Sequence, residues 1–169
     1  TLLVDAEPGP LAHHVETLEA KACNRRLSLP TYCEASLDLI QDCYAKVRTA
    51  TLPPEELAKF LTNAAARRIP FKATAGLHHP IRFHDMHGFL NVFVAATFAW
   101  RGMDQVSLVQ LLRESDPKGF DFQHDRLQWR DWCVSTAEVE DARRDFAHSF
   151  GSCSFEEPVN DLRALGLLT

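Results

Sequence analysis

The stretch FKATAGLHHP, from Phe71 to Pro80, sets a lysine in the middle of an apolar, strand-like run and ends it in two adjacent histidines. A lysine in such a place suits two kinds of chemistry. Its amine can attack a carbonyl to form a Schiff base when desolvation and a neighbouring cation favour the neutral form, or its ammonium can hold a carboxylate or phosphate. Lys46 and Arg48 recur in YAKVRT, and Glu34 lies in LPTYCEAS. A third reading needs no ligand: an unpaired charge inside a protein is expensive, so the lysines would pair with Glu34 as a structural ion pair. Strand-borne cations that face one way make a positive pocket, which suits a small anionic molecule.

Alternation decides which residues share a face. In the FKATAGLH run Phe71, Ala73, Ala75 and Leu77 fall on one side and Lys72, Thr74, Gly76 and His78 on the other. YAKVRT sets Ala45 and Val47 against Lys46 and Arg48, and LPTYCEAS sets Glu34 with Tyr32 and Ser36. Lys72, Lys46, His78 and Glu34 are therefore the candidate catalytic groups. Arg48, Thr74 and Arg82 are candidate substrate contacts.

His78, His79, His84 and His87 lie close together in the chain. Their density invites a metal, with His78, His84 and His87 as the weak ligand set, but the spacing matches no established zinc pattern. His78 continues the inward face and is the preferred acid or base, while His79 points elsewhere. His87 and Asn91 sit one helical turn apart and either orient a substrate together or, for His87, merely cap a helix. Arg82 and Asp85, in the same loop, bind substrate or each other. Cys153 in GSCSF has the chemistry of a nucleophile, yet no base stands near it in sequence, and burial is the commoner fate of a cysteine. The amides of Gly151 and Ser152, just ahead of a closing helix, are better placed to hold an anion. Nothing in these residues assigns a cofactor.

The elements that must position these groups alternate. TLLVDA, LPTYCEAS, YAKVRT and IPFKATAG read as strands, separated by helical LAHHVETLEAKACNRR, LDLIQDC and PPEELAKFLTNAAARR. The last of these starts with proline, carries acids in its first turn and ends in Arg67 and Arg68. GFLNVFVAATFAW is an apolar helix, VSLVQLLRES another, FDFQHDRLQWRDWCV two short strands about His124 and Asp125, and AEVEDARRDFAHSF a helix. GSCSF reads as a last strand and EPVNDLRALGLL as the closing helix. Trp129 and Trp132 with Phe120 and Phe122 read as a hydrophobic satellite, and His13 and His14 as helix surface.

Strands joined through helices imply parallel pairing and an α/β class. A polar layer on one sheet face favours a (β/α) TIM-barrel-like arrangement, whose sites open at the carboxyl ends of the strands. The chain of 169 residues is shorter than the roughly 250 of a usual barrel, so residues 1–169 read as a single α/β domain, the carboxyl-terminal part of a larger barrel. A small open α/β sheet is the alternative. A partner, a second copy or the remainder of the barrel would complete the sheet.

Charge and composition exclude several classes. With 18 basic and 23 acidic residues scattered along the chain, no basic stripe exists for nucleic acid. The apolar run from Gly88 to Trp100 is shorter than the roughly 20 residues that cross a bilayer, so no membrane partner is expected. An odd number of cysteines, five, without a C-x-x-C pair fits a reducing, cytoplasmic setting.

The segments AKVRT, FKATAGLHHPIR, MHGFLNVFVAA and GSCSFEEPVNDLRALGLL together resemble the carboxyl-terminal half of a family of uncharacterised bacterial proteins of barrel length. Its recurring features are K-x-R-T-G-G, F-K-x-T-A-G-L-H-H, H-G-F-L-N and G-S-C-S-F, and the likeness covers about residues 30–169. The resemblance implies a larger parent and a pocket, and no established reaction. Here Ala50 and Thr51 stand where the family has two glycines, so a backbone contact to an anion that such glycines would allow is not implied for this chain. The resulting expectation is a pocket for a small anionic metabolite with lyase, aldolase or isomerase chemistry. The alternatives are a noncatalytic ligand-binding or structural subunit and a metal-dependent hydrolase built on the histidine cluster.

Overall fold

The computed structural model describes residues 4–5, 31–40 and 43–168. The expected helix of residues 11–26, with His13 and His14, lies outside the described residues. The fold is mixed α/β. Its main sheet is wholly parallel, with strands β1 (Val4–Asp5), β2 (Thr31–Cys33), β3 (Tyr44–Arg48), β4 (Phe71–Thr74) and β8 (Ala147–Gly151) side by side in that order. Helix α1 (Pro54–Ala66) links β3 to β4. The long passage from β4 to β8 holds helices α2 (Phe89–Trp100) and α3 (Gln105–Leu112), an antiparallel sheet of β5 (Phe120–Phe122), β6 (Arg126–Trp129) and β7 (Trp132–Ser135), and helix α4 (Thr136–Asp145). Helix α5 (Glu156–Ala164) follows β8.

Among the described residues the five strands form an open row ended by β1 and β8, so the small open α/β sheet fits and no closed barrel is formed. Ion pairs and ring contacts within the polar face make it tolerable beneath a helix layer without closure into a barrel.

Local physics explains most elements. α1 begins at proline with Glu55 and Glu56 in its first turn, and buries Leu57, Ala58, Leu61, Ala64 and Ala65 on one stripe. It stops before the two arginines: Arg67 caps it and Arg68 turns left-handed at φ 56°, laying its guanidinium 3.9 Å from the centre of the Trp100 ring. α2 is buried from Phe89 to Ala99 apart from Leu90 and is the central helix, packed on both α1 and α3. Asp104 caps α3 by accepting from the Ser107 amide, and Ser135 with Glu138 forms a reciprocal capping box on α4. Phe71 meets Phe60 and Phe146, which stacks on Trp100.

Two expectations shift. The hairpin about His124 and Asp125 gains a third strand, because Arg130 takes φ 52° and turns the chain back. The helix expected through Phe150 ends at Asp145, and AHSFG is the last strand, so GSCSF is mostly the loop beyond it. Phe150 stacks on Phe89 at 4.8 Å, a contact between distant segments that local periodicity does not reveal. Among the described residues no helix is long and apolar enough to cross a membrane.

Candidate functional site

Parallel register sets the polar residues of neighbouring strands level with one another. Tyr32 lies beside Tyr44, Lys46 beside Lys72, and Arg48 beside Thr74, which lies beside Gly151. The expected shared face is therefore present. Its charges are partly satisfied from within: Lys46 Nζ is 3.5 Å from Glu34 Oε2, and Arg48 Nε is 3.9 Å from Oε1 of the same carboxylate. The Lys46 side chain is only 10% exposed, whereas that of Arg48 is 58% exposed. Lys72 is buried, with Nζ 5.7 Å from the centre of the Tyr32 ring.

A cleft of about 740 Å³ opens beside Glu34, Lys46 and Arg48, walled on its other side by α1. Four basic side chains line it, Lys46, Arg48, Lys59 and Arg67, against three acidic ones, Glu34, Asp38 and Glu56. Arg67 is taken by Asp38 at 2.9 Å. Lys72 does not line this cleft, so the two strand lysines do not work on one ligand there. Glu34 Oε2 is buried without a hydrogen bond, its nearest cation lying beyond bonding distance.

On the same face, toward the amino ends of the strands, Tyr32 and Tyr44 meet edge to face, and His148 packs against both. Burial, with a smaller contribution from Tyr44, pushes the Tyr32 phenol up, and its hydroxyl lies 2.6 Å from His148 Nδ1. Burial likewise holds the His148 imidazole below its ordinary value. Sequence reading passed over this group because His148 sat in a stretch assigned to a helix.

His78 is placed by a turn and not by strand alternation. Ala75 and Gly76 both take positive φ, 64° and 75°, which ends the period of two at Thr74. Thr49 holds this turn: its amide donates to the Thr74 carbonyl and its hydroxyl to that of Ala75. A Cβ on Gly76 would lie 2.9 Å from Ala50 Cα, so this glycine is needed for close approach as well as for its φ. Beyond the turn, the doublet divides its attention along α5. His78 Nδ1 lies 3.1 Å from Glu157 Oε2, and His79 Nδ1 lies 2.7 Å from Asp161 Oδ2.

Cys153 is exposed, contrary to the expectation of burial, and its Sγ is 3.7 Å from His78 Nε2 and 3.9 Å from Nδ1. The histidine beside the thiol comes from the loop after β4, far away in sequence. Glu157 was also missed, since an acid in a helix's first turn ordinarily signals only a dipole preference. Ser152 Oγ accepts from the Ser154 amide at 3.3 Å, and Gly151 closes β8 beside Thr74.

The remaining loop residues build structure. His87 is 2% exposed, its Nε2 donates to the Leu52 carbonyl at 2.7 Å, and its Nδ1 has no partner. Burial, aided by the Arg82 charge and opposed by the Leu52 carbonyl, holds the His87 imidazole below its ordinary value. Asn91 is fully buried; Oδ1 accepts from the Arg82 amide, and Nδ2 donates to the carbonyls of Leu111 and Glu114. Both amide hydrogens are thus spent on main chain, and the expected substrate-orienting pair of His87 and Asn91 is instead a clamp between loop, α2 and α3. Gly88 is obligatory, since a Cβ there would overlap Asn91 Oδ1, the Ile81 carbonyl carbon and the Pro80 oxygen.

The arginine and histidines of the loop do not converge on one point. Arg82 keeps Nη1 buried without a partner, while His84 and Asp85 are exposed. His84 stacks edgewise on Phe83 and His87 is sealed below, so His78, His84 and His87 do not form one ligand set. Among the described residues no three His, Cys, Asp or Glu side chains come together to hold a metal ion. A second cavity of about 400 Å³, between α2, α4 and the hairpin sheet, is walled chiefly by Phe89, Phe93, Leu127, Val139 and Phe150. None of the sequence-derived site residues lines it.

No family model, curated protein or solved structure matches the chain.

Proposed function

We propose that the chain binds a small anionic metabolite in the cleft at the carboxyl ends of β2 and β3, and acts on it by proton-transfer chemistry of the lyase, aldolase or isomerase kind. The observation that supports this most is Arg48, a strand-borne guanidinium, more than half exposed, on the wall of a cleft with more cations than anions. Open α/β sheets bind ligands outside the carboxyl ends of their strands, and this cleft has that location. Arg48 and Lys59 take the anionic group. Lys46 is the strand-borne lysine on the wall, and Glu34, whose Oε2 lacks a hydrogen bond, is the proton acceptor beside it. Lys72, behind the wall, sets the local charge. His78, on the next strand's loop, does not line this cleft. A reducing cytoplasm suits the free thiols of the described cysteines, and kinship with the bacterial motif family is part of the same proposal.

Calorimetric titration with inorganic phosphate and with small carboxylates tests the binding step: Arg48→Ala should weaken binding about tenfold or more, as removal of a charge-assisted contact does. Borohydride trapping with carbonyl compounds tests the lysine step. An adduct on Lys46 supports it, and labelling of neither lysine sinks the Schiff-base version while leaving anion binding intact.

A second reading treats the chain as a noncatalytic subunit of a larger (β/α) assembly, completed by a partner or by an amino-terminal half. It is favoured by β1 and β8, each of which pairs on one side only among the described residues. Sedimentation of the purified chain separates the two, because a monomer that binds phosphate needs no completing subunit.

A further inference from the structure

Beyond anion binding, we propose that Cys153, His78 and Glu157 form a thiol nucleophile site that takes the acyl group of a small ester or thioester. The chain has brought together the three parts that such chemistry requires: a nucleophile, a base within reach of it, and a group that orients the base. Cys153 Sγ lies 3.7 Å from His78 Nε2, and the other ring nitrogen, Nδ1, lies 3.1 Å from Glu157 Oε2. A carboxylate at Nδ1 accepts the proton of that nitrogen, which leaves the lone pair on Nε2; the sulfur, 3.7 Å from Nε2 and 3.9 Å from Nδ1, has to swing onto that axis for transfer. The sulfur contact is longer than a transfer distance, as such contacts often are before substrate tightens them.

Location and access favour the same reading. The three residues come from two adjacent parallel strands' carboxyl-terminal loops and from the first turn of α5, where ligands of open α/β sheets collect. Cys153 is exposed and the His78 side chain is 24% exposed, so a substrate can reach both. His79 supplies an internal contrast. It reaches the same helix through Asp161 at 2.7 Å, so helix anchoring alone explains His79 but leaves the thiol beside His78 unexplained.

The reaction balances without any further reagent. The Cys153 thiol passes its proton to His78 Nε2 as the sulfur bonds to the acyl carbon. The alcohol or thiol of the substrate leaves with that proton, and a thioester remains on Cys153. Water, deprotonated by His78, then attacks the thioester; the carboxylic acid departs and the thiol regains its proton.

The test uses the intact chain with p-nitrophenyl acetate and, separately, iodoacetamide, with adducts located by peptide mass spectrometry. Cys133 is an internal control, being exposed and making no histidine contact among the described residues. The proposal expects a p-nitrophenol burst with an acetyl group on Cys153, and alkylation of Cys153 at pH 7 about tenfold faster than of Cys133. His78→Asn should bring both Cys153 rates down to that of Cys133, and Glu157→Gln should lower them partway. His79→Asn, which removes the other histidine contact to the same helix, should leave them unchanged. Equal labelling of Cys153 and Cys133, or a rate at Cys153 that His79→Asn lowers as much as His78→Asn does, would overturn the proposal. Should His78→Asn fail to fold, the pH dependence of Cys153 alkylation in the unaltered chain decides: a rate that follows an ordinary exposed thiol also overturns it.

Discussion

His78 and His87 stand at the two ends of one loop and live in opposite surroundings. His87 is sealed, with one nitrogen bonded to the Leu52 carbonyl and the ring pressed beside the Gly88 and Asn91 clamp. His78 is partly open, with one nitrogen against a carboxylate and the other beside a thiol. A group can act on a substrate only if one of its bonding directions is left for the substrate. His78 is open enough for a substrate to reach it, whereas the unpartnered Nδ1 of His87 is buried, so the H-G-F-L-N segment builds the loop while the L-H-H segment and the G-S-C-S-F loop are where the proposed thiol chemistry would sit.

Gly88→Ala breaks the sealed end most severely. The added methyl has no room among Asn91 Oδ1, the Ile81 carbonyl and the Pro80 oxygen, all of them main chain or clamp. The expected loss is about 4 kcal/mol or more, a large part of the roughly 5–15 kcal/mol that holds a domain together. Urea unfolding followed by circular dichroism would measure it; a change under about 1 kcal/mol would show the loop to be plastic. Asn91→Ala comes next. It strands the Arg82 amide and the Glu114 carbonyl and takes one of two donors from the Leu111 carbonyl, at an expected cost of about 2–4 kcal/mol.

His87 sharpens the contrast through pH. Burial holds both His87 and His148 below the ordinary imidazole value of 6.5. The unfolded chain therefore takes up these protons first on acidification. Stability is fully present above about pH 6.5 and falls as the pH drops through the window below it, until the folded imidazoles protonate as well. Each group contributes at most about 1.4 kcal/mol per pH unit within that window. His87→Phe removes one of the two slopes and costs about 1–3 kcal/mol at neutral pH through the unpaired Leu52 carbonyl. Unfolding curves at pH 7.5 and pH 5 would show whether the slope shrinks. The carboxylates Asp104 and Glu138, held low by Ser107 and Ser135, act at more acid pH and do not mask it.

The two ends also differ in how legible they were. Alternation in YAKVR and FKAT correctly put Lys46, Arg48, Lys72 and Thr74 on one face, because these strands are regular and their apolar residues are pressed to a helix layer. It put His78 in the right neighbourhood for the wrong reason: the left-handed Ala75 and Gly76 end the strand, and a turn pinned by Thr49 carries His78 to the rim. The helical spacing of His87 and Asn91 was real, yet spacing does not say whether a polar side chain faces a pocket or a neighbouring carbonyl. The pairing of His78 with Cys153 and Glu157 spans most of the chain's second half and leaves no local signal. The barrel inference failed to allow for Glu34 serving both Lys46 and Arg48, which makes a polar face tolerable in an open sheet.

The smallest effect probes the boundary between anchoring and chemistry. Asp161→Asn removes the charge from the His79 contact, and the two side chains are 29% and 40% exposed. Exposed ion pairs contribute about 0–1 kcal/mol, so α5 should stay docked and the unfolding midpoint should hardly move. Glu157→Gln is the matched change one turn earlier, on a carboxylate still more exposed at 56%, and its stability effect should be as small. If the two variants unfold alike yet only Glu157→Gln slows the Cys153 reaction, the carboxylate at His78 orients a base. If both variants loosen α5 by several kcal/mol, the histidine doublet is a structural clasp at both of its residues, and the open end of the loop differs from the sealed one only in exposure.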